Sequence, residues 1–238
     1  MKATQPINHQ VKYHDLGLID YQKAWDTQEE FFDQVVAVKE TNRKAEIPEL
    51  TPNFLLFCSH PHVYTLGKSG NDSNLLINED FLASKGATFY RINRGGDITY
   101  HGPGQIVGYP ILDLDNFGVS IKSYIDKLEE VIIRTLKHYG IDATRSDGAT
   151  GVWLDTNIPG KARKICAIGV RTSHWVSMHG FAFNINTNLD YFNYIVPCGI
   201  QGKGVTSLQK ELGREVDEKE VQEILKEEFK TVFGMEIR

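Results

Sequence analysis

Residues Arg94-Gly-Gly-Asp-Ile-Thr-Tyr-His-Gly-Pro-Gly-Gln105, the glycine segment, hold the strongest clue to the fold of this chain. Four glycines and one proline in twelve residues disfavour a regular helix or a central strand, so a loop is predicted, followed by a strand over residues 109–114. Glycines also let the backbone approach a ligand closely. A plain turn between strands is the simpler interpretation, but the segment has unusually many polar side chains for a turn: Arg94, Thr99, His101 and Gln105.

The elements around this segment alternate between the two kinds of secondary structure. Apolar spacing predicts helices over residues 20–41, 119–139 and 217–233. Strands are predicted over residues 53–59, 62–66 and 87–92, and over 151–155, 164–172 and 179–184, whose glycine and proline joints suggest antiparallel hairpins. No βαβ repeat appears. We therefore expect an α+β fold, a single domain over residues 1–238 with a mainly antiparallel sheet flanked by helices.

Composition narrows the class of protein. The chain has 238 residues, 41% hydrophobic and 24% charged, which is typical of a folded soluble domain. Its net charge of −5 gives no indication of a nucleic-acid partner. The polar N-terminus lacks a signal peptide, and no apolar stretch is long enough to cross a membrane. These features predict a cytoplasmic protein without a membrane partner, and a monomer is the default expectation.

Three cysteines are too few for a disulfide framework and lack the spacing of a zinc site. Cys58 and Cys166 fall inside apolar strands, where a packed thiol is expected. Cys198 lies between Pro197 and Gly199 in a loop, a better position for a nucleophile. A free thiol with a pKa of about 8.5 would need a neighbouring cation or base.

Lys164 lies at the start of a small, apolar strand, next to other basic residues. Strand alternation would place it on the same face as Cys166 and Ile168. Such a lysine either reaches solvent or faces an anionic group, and the sequence leaves both open. Among the histidines no spacing completes a metal site, and Gly67-Lys-Ser69 lacks the earlier glycine of a phosphate loop because position 62 is His62. No metal is therefore expected.

Several segments together resemble the lipoyl(octanoyl) transferase family. The glycine segment extends to Arg94-Gly-Gly-x-x-Thr-Tyr-His-x-x-Gly-Gln-x-Val-x-Tyr109. The other matches, in order between about residues 60 and 208, are His60-Pro-His-Val-Tyr-Thr-Leu-Gly67, Lys164-Ile-Cys-Ala-Ile-Gly-Val170, His179-Gly-Phe-Ala-Phe-Asn184, and Pro197-Cys-Gly199 followed by Val205-Thr-Ser207. A pattern with this many ordered parts is far more specific than one glycine motif.

The resemblance implies a fold shared with biotin and lipoate ligases. It also implies that octanoyl moves from acyl carrier protein, through a thioester on Cys198, to a lysine of lipoyl domains in 2-oxoacid dehydrogenases and of the glycine cleavage H protein. Lys164 would form the catalytic dyad with Cys198, and no cofactor would be needed. The implied substrate-binding residues are Arg94, Gly95, Gly96, Asp97, Ile98, Thr99, Tyr100, His101, Ala167, Ile168, Gly169, Gly180, Phe181 and Ala182.

Within that mechanism several details stay open. The acyl chain would lie along Ile168, Phe181 and Tyr100, and either Lys164 or His101 would take the proton of the incoming amine. Because carrier proteins are acidic, a basic patch is expected near the dyad, made of Lys161, Arg163, Arg171 and Lys203.

Three other functions remain as alternatives. An ATP-dependent lipoate or biotin ligase on the same fold would not need Cys198. A binding module of the lipoylation pathway would need no chemistry at all, and a cysteine hydrolase would prefer water to an amine as acceptor.

Overall fold

The computed structural model describes residues 6–196 and 203–238. In these residues the helices are α1 (Tyr21–Asn42), α2 (Glu79–Ser84), α3 (Ile121–His138), α4 (Leu208–Leu212) and α5 (Glu218–Phe233). The strands are β1 (Gln10–Leu18), β2 (Phe54–Ser59), β3 (Val63–Leu66), β4 (Thr88–Arg91), β5 (Ile98–His101), β6 (Gln105–Ile111), β7 (Thr144–Ser146), β8 (Ala149–Leu154), β9 (Arg163–Ser173), β10 (Val176–Asn184), β11 (Gly204–Val205) and β12 (Glu236–Ile237).

The strands of the described residues form two sheets. The larger has the order β12-β1-β2-β6-β10-β9-β8-β7, with β11 beside β9, and the smaller has the order β4-β3-β5. In the larger sheet β1 runs parallel to β2 and β12, and β11 runs parallel to β9, whereas every other pair is antiparallel. The predicted class, α+β with a mainly antiparallel sheet flanked by helices, is confirmed.

Helices cover both faces of the larger sheet. Apolar side chains of α3 and α5 pack with Phe57 and Phe181 on one face, while α1 packs with Phe54 and Val107 on the other. The predicted helices begin within about two residues of the observed ones because their caps are local. Asp20, for example, accepts hydrogen bonds from the first backbone N–H groups of α1.

The glycine segment departs from its prediction. Strand β5 lies inside it, and β6 begins at its last residue and occupies the centre of the sheet, fully buried between β2 and β10. Glycine in a central strand is explained at Gly108, where an added Cβ would lie 2.2 Å from the Phe181 ring, which covers this position. Two parts of the segment are irregular: residues 94–97, where Gly96 has a φ of +89°, and the turn between β5 and β6, where Gly104 has a φ of +78°. Because β6 begins at residue 105, the strand predicted over residues 109–114 starts earlier and ends at Ile111.

A buried polar cluster joins α1 to the loops at one end of the sheet. The ammonium of Lys39 forms ion pairs with Asp113 and, at 2.7 Å, with Asp115. The hydroxyl of Thr51 donates to the other carboxylate oxygen of Asp113 at 2.8 Å, and Asp113 is fully buried. Removing one partner of such a pair leaves a buried charge with incomplete compensation.

We therefore expect Asp113→Ala to lower the free energy of unfolding by about 3 kcal/mol, measured by urea denaturation. The matched control is Asp126→Ala, which removes an exposed pair with Lys122 and should change stability by less than about 1 kcal/mol. Equal losses in the two variants would contradict the importance assigned to the buried cluster.

Candidate active site

A cavity of about 530 Å³ lies between the glycine segment, β9 and β10. It is lined by almost all of the predicted site residues: Arg94, Gly95, Gly96, Asp97, Ile98, Thr99, His101, Lys164, Ala167, Ile168, Gly169, Gly180, Phe181 and Ala182. The predicted nucleophile Cys198 lies outside the described residues. Segments far apart in the sequence are thus brought to one cavity.

Backbone pairing on both edges of β9 fixes the position of Lys164. Its Cα pairs with Trp153 of β8 on one edge and with Val205 of β11 on the other, and its carbonyl accepts a hydrogen bond from the Thr206 N–H at 2.9 Å. Its ammonium nitrogen lies 4.6 Å from the centre of the Trp153 ring. The indole also contacts a second cation, since the ammonium of Lys203 lies 4.8 Å from the same ring. One end of the cavity is therefore cationic.

His101 belongs to a chain of hydrogen bonds that crosses the sheet. Its Nδ1 lies 2.9 Å from Oε1 of Gln105, whose amide nitrogen donates to Oδ1 of Asn184 at 2.8 Å. The amide nitrogen of Asn184 donates to the carbonyl of Thr206 at 3.0 Å. Because the Gln105 amide nitrogen donates elsewhere, its oxygen accepts from Nδ1–H of His101. The chain thereby connects the glycine segment to the strand beside Lys164.

The guanidinium of Arg94 holds the backbone of the glycine segment through hydrogen bonds to carbonyl groups. One guanidinium nitrogen donates to the carbonyls of Thr65 and Asp97 at 2.8 and 2.7 Å, and the other donates to the carbonyl of Gly95 at 3.0 Å. A Cβ at Gly67 would come within 2.9 Å of the guanidinium, so the close packing requires a glycine there. Arg94 thus fixes the curvature of the backbone that forms one wall of the cavity.

Tyr100 does not line the cavity with the rest of its segment. Its side chain is fully buried under the smaller sheet, where its hydroxyl lies 2.7 Å from Nδ1 of His62 and its ring stacks on Tyr191 at 5.0 Å. Strand alternation separates its side chain from those of Thr99 and His101, since β5 directs successive side chains to opposite sides. Tyr100 therefore supports the segment that precedes Cys198 and does not contact the cavity.

The end of the cavity away from Lys164 contains buried imidazoles beside the guanidinium of Arg94. Burial and neighbouring positive groups lower the pKa of His101 and of His179 to about 3, and burial lowers the pKa of His60, next to this end, to about 4. Nε2 of His60 accepts from the Tyr109 hydroxyl at 2.7 Å, because its Nδ1 donates to the Ile19 carbonyl. These imidazoles are neutral at neutral pH.

Cys58 and Cys166 are buried in β2 and β9, which confirms that they are packed thiols. Burial raises the pKa of both thiols above the ordinary value, although the nearby Lys164 ammonium opposes the rise at Cys166. Neither thiol has the environment of a nucleophile at neutral pH.

Of the four residues expected to form a basic patch, Arg163 already forms ion pairs within the chain. Its guanidinium forms ion pairs with Asp155 and, at 2.7 Å, with Glu211, whereas Lys161 is exposed. Three other residues line the cavity without being among the predicted site residues: Trp153, Tyr21 and His179. Trp153 approaches Lys164 only through strand pairing, Tyr21 lies in the apolar pattern of the first predicted helix, and His179 begins the matched segment His179-Gly-Phe-Ala-Phe-Asn184.

Within residues 6–196 and 203–238, no three His, Cys, Asp or Glu side chains are arranged to hold a metal ion. Among the same residues, no helix has the length and apolar composition needed to cross a membrane.

The buried neutral histidines predict how stability depends on pH. Above pH 6.5 neither the folded nor the unfolded chain protonates them, whereas below it the unfolded chain binds protons that the folded chain excludes until the pH falls to about 3–4. Each such histidine therefore lowers stability by about 2 kcal/mol between pH 7 and pH 5. In urea denaturation, His101→Gln should reduce this loss by about 2 kcal/mol. The exposed His174→Gln should leave it unchanged, and equal behaviour of the two variants would contradict the assignment.

Comparison with known proteins extends the resemblance found in the sequence. The model of the lipoyl protein ligase A/B catalytic domain matches residues 20–230. The octanoyltransferase of Flavobacterium psychrophilum is 59% identical over 228 residues, covering 95% of this chain and 98% of the relative. That of Christiangramia forsetii is 57% identical, covering 98% of this chain and 99% of the relative.

Among solved structures, a bi-partite lipoate protein ligase from Thermoplasma acidophilum has a TM-score of 0.66 at 15% identity, covering 98% of this chain and 86% of that one. A lipoate-protein ligase A bound with ATP has a TM-score of 0.67 at 15% identity, covering 98% and 88%. These likenesses concern the fold and confirm its relation to lipoate ligases. From the extent of the family match and the identity of the relatives, the chain belongs to the lipoyl protein ligase A/B catalytic domain family and, within it, to the octanoyltransferases, which are acyltransferases.

Proposed function

We propose that this chain transfers an octanoyl group from acyl carrier protein to the lysine of a lipoyl domain, through a thioester on Cys198 assisted by Lys164. The acceptors are the lipoyl domains of 2-oxoacid dehydrogenases and the glycine cleavage H protein. In this proposal residues 1–238 act as one catalytic domain, as a monomer in the cytoplasm and without a cofactor.

The observation that carries the proposal is the pairing of β11 with β9. It brings Gly204 and Val205, six and seven residues after Cys198, to β9, with Val205 opposite Lys164. The chain just before Cys198 is anchored too, since Val196 donates its N–H to the Asn74 carbonyl at 2.8 Å. Cys198 lies two residues after Val196 and five before Lys203, so both anchors limit its reach. This arrangement supports a short separation between Cys198 and the cationic end of the cavity.

Lys164 would serve each step in turn. As an ammonium it stabilises the Cys198 thiolate, which attacks the carrier thioester. The carrier sulfur leaves as a thiolate and takes a proton from Lys164, and the octanoyl group stays on Cys198. The acceptor amine then attacks this thioester and loses a proton to the now neutral Lys164. The Cys198 thiolate leaves, and the ion pair is restored.

His101 is a poorer choice for the proton acceptor. Its Nδ1–H is bonded to Gln105, and its lowered pKa of about 3 makes its other nitrogen a weak base at neutral pH. Its hydrogen-bond chain to Thr206 supports a positioning role beside Lys164. Lys164 is thus the proposed base, and His101 the residue that holds the glycine segment against β11.

The test of the proposal is octanoyl transfer without ATP. The protein is mixed with octanoyl-acyl carrier protein and a lipoyl domain, and the lipoyl domain is examined by mass spectrometry. A domain that gains one octanoyl group without ATP, but not with Cys198→Ser, is the expected result. Modification that requires ATP and free acid would replace the proposal with a ligase, and release of free octanoate alone would indicate a hydrolase.

Lys164 variants separate the two steps. Lys164→Arg keeps the positive charge that stabilises the Cys198 thiolate, and the departing carrier thiolate can take its proton from water, so release of the carrier thiol should continue. Because the guanidinium stays protonated, it cannot accept the proton of the amine, and transfer to the amine should slow by about 100-fold or more. Lys164→Met should slow both steps. Single-turnover measurements of carrier thiol release and of lipoyl-domain modification check this, with the exposed Lys137→Met as control. Equal slowing of both steps by Arg would contradict a role for Lys164 as a base.

Because Arg163 forms ion pairs within the chain, a variant of Lys161 is the better test of carrier docking. Charge reversal by Lys161→Glu should raise KM for octanoyl-acyl carrier protein several-fold and leave KM for octanoyl-pantetheine unchanged. A similar effect on the small thioester would mean that Lys161 acts on the site itself and not on the carrier surface.

A further inference from the structure

A bulge in the larger sheet lies directly beside Lys164. Val152 of β8 pairs with Cys166 of β9, but the next residue of β8, Trp153, pairs with Lys164. Over this step β9 therefore contains one residue more than β8. A bulge bends the strand and changes the direction of the side chains next to it, and bulges are common beside active sites. The direction of the Lys164 side chain thus depends on what holds β8 in this register.

Gly151, just before the bulge, lies against the aliphatic stem of Lys164. A Cβ at this position would lie 3.4 Å from Cε and 3.5 Å from Cδ of Lys164, and only 2.6 Å from the carbonyl oxygen of Cys166. The φ of Gly151 is +120°, a conformation that residues with side chains rarely adopt. Because the lysine stem passes so close to Gly151, a movement of this glycine changes the space that the stem can occupy.

A buried carboxylate holds the backbone of Gly151 from outside the sheet. Oε1 of Glu129, on α3, accepts a hydrogen bond from the Gly151 N–H at 2.9 Å, and Oε2 accepts from Nε of Arg145, on β7, at 3.1 Å. The Glu129 side chain is only 7% exposed, and its neighbours along α3 include the core residues Leu128 and Ile132. A carboxylate is seldom buried this far unless it is paired, because it loses its hydration. This buried charge therefore joins α3 to β8 at the bulge.

We propose that Glu129 is a positioning residue for Lys164. Through the N–H of Gly151 it fixes the register of β8, and the bulge then fixes where the Lys164 ammonium lies against the ring of Trp153. The inference rests on the proposed function, because it assigns a cause to the position of the proposed base. Glu129 is not one of the described residues that line the cavity, so it acts through Lys164 and not on the acyl group.

A small displacement of Lys164 is enough to slow the reaction, since a shift of about 1 Å in a reacting group can cost about 100-fold. Glu129→Met keeps a long, unbranched side chain but removes the acceptor of the Gly151 N–H. Arg145 keeps its hydrogen bonds to Oε2 of Glu130 and to the carbonyl of Asp126, at 2.9 and 2.8 Å. The substitution therefore acts chiefly on Gly151.

The test uses single-turnover rates with octanoyl-acyl carrier protein and a lipoyl domain. Glu129→Met should slow carrier thiol release and lipoyl-domain modification by about tenfold each. Glu129→Gln keeps an acceptor oxygen for the Gly151 N–H and should stay within about twofold of the wild-type rates. The matched control, Glu130→Met, removes the neighbouring carboxylate and its bond to Arg145 and should leave both rates unchanged. Equal slowing by Met and Gln at position 129 would overturn the proposal.

A double-mutant cycle separates positioning from general damage to the fold. If Glu129 acts through Lys164, adding Glu129→Met to Lys164→Met should slow the reaction by less than about twofold, because the group that it positions is already gone. The same loss in this background as in the wild-type protein would show that Glu129 does not act through Lys164.

A second measurement does not depend on catalysis. In the NMR spectrum of protein with isotopically labelled lysine Cε, the Lys164 signal should be shifted upfield by the indole ring, since the ammonium nitrogen lies 4.6 Å from the ring centre. Lys164→Arg assigns the signal. The shift should persist in Glu129→Gln and be lost in Glu129→Met, and an unchanged signal in Glu129→Met would overturn the positioning role. Failure of the wild-type protein to transfer any octanoyl group would instead refute the proposed function, while the spectrum would still test what positions Lys164.

Discussion

Everything at the site depends on how β9 is held at Lys164. The backbone there is paired on one edge with Trp153 of β8 and on the other with Val205 of β11. Strand β11 has only two residues, yet it is secured by the hydrogen bond from Thr206 to the Lys164 carbonyl. This short parallel pairing joins residues 204–206 to β9 beside Lys164.

The cavity combines two different electrostatic environments. At one end the ammonium groups of Lys164 and Lys203 both lie within 5 Å of the centre of the Trp153 ring, at 4.6 and 4.8 Å, and this positive charge suits a thiolate and a developing oxyanion. At the other end buried imidazoles are neutral, because burial and neighbouring cations disfavour their protonated forms. Arg94 lies at this end too, and its guanidinium is one of the cations that keep the imidazoles unprotonated. Desolvation of these histidines is also what makes the stability of the fold depend on pH.

Sequence patterns predicted the features that depend on residues close together in the chain. The helices and the β8–β10 hairpins carry their own periodicity and caps, and ordered motifs identified most of the cavity lining. Strand β1 was missed because its side chains are mostly exposed and its neighbours, β2 and β12, come from distant parts of the chain. Tyr100 belongs to the motif, but strand alternation turns it away, and the contacts of Trp153 and His179 exist only after strands pair. No sequence spacing encodes these contacts, so only the folded chain reveals them.

In the proposed mechanism Cys198, assisted by Lys164, carries the acyl group between donor and acceptor. The most direct measurement is to mix the protein with octanoyl-acyl carrier protein alone, quench at low pH, digest, and map the added mass. We expect one octanoyl group on the peptide that contains Cys198, lost on treatment with hydroxylamine, which cleaves thioesters. An octanoyl group on another residue, or an unmodified protein that still modifies lipoyl domains under the same conditions, would contradict it.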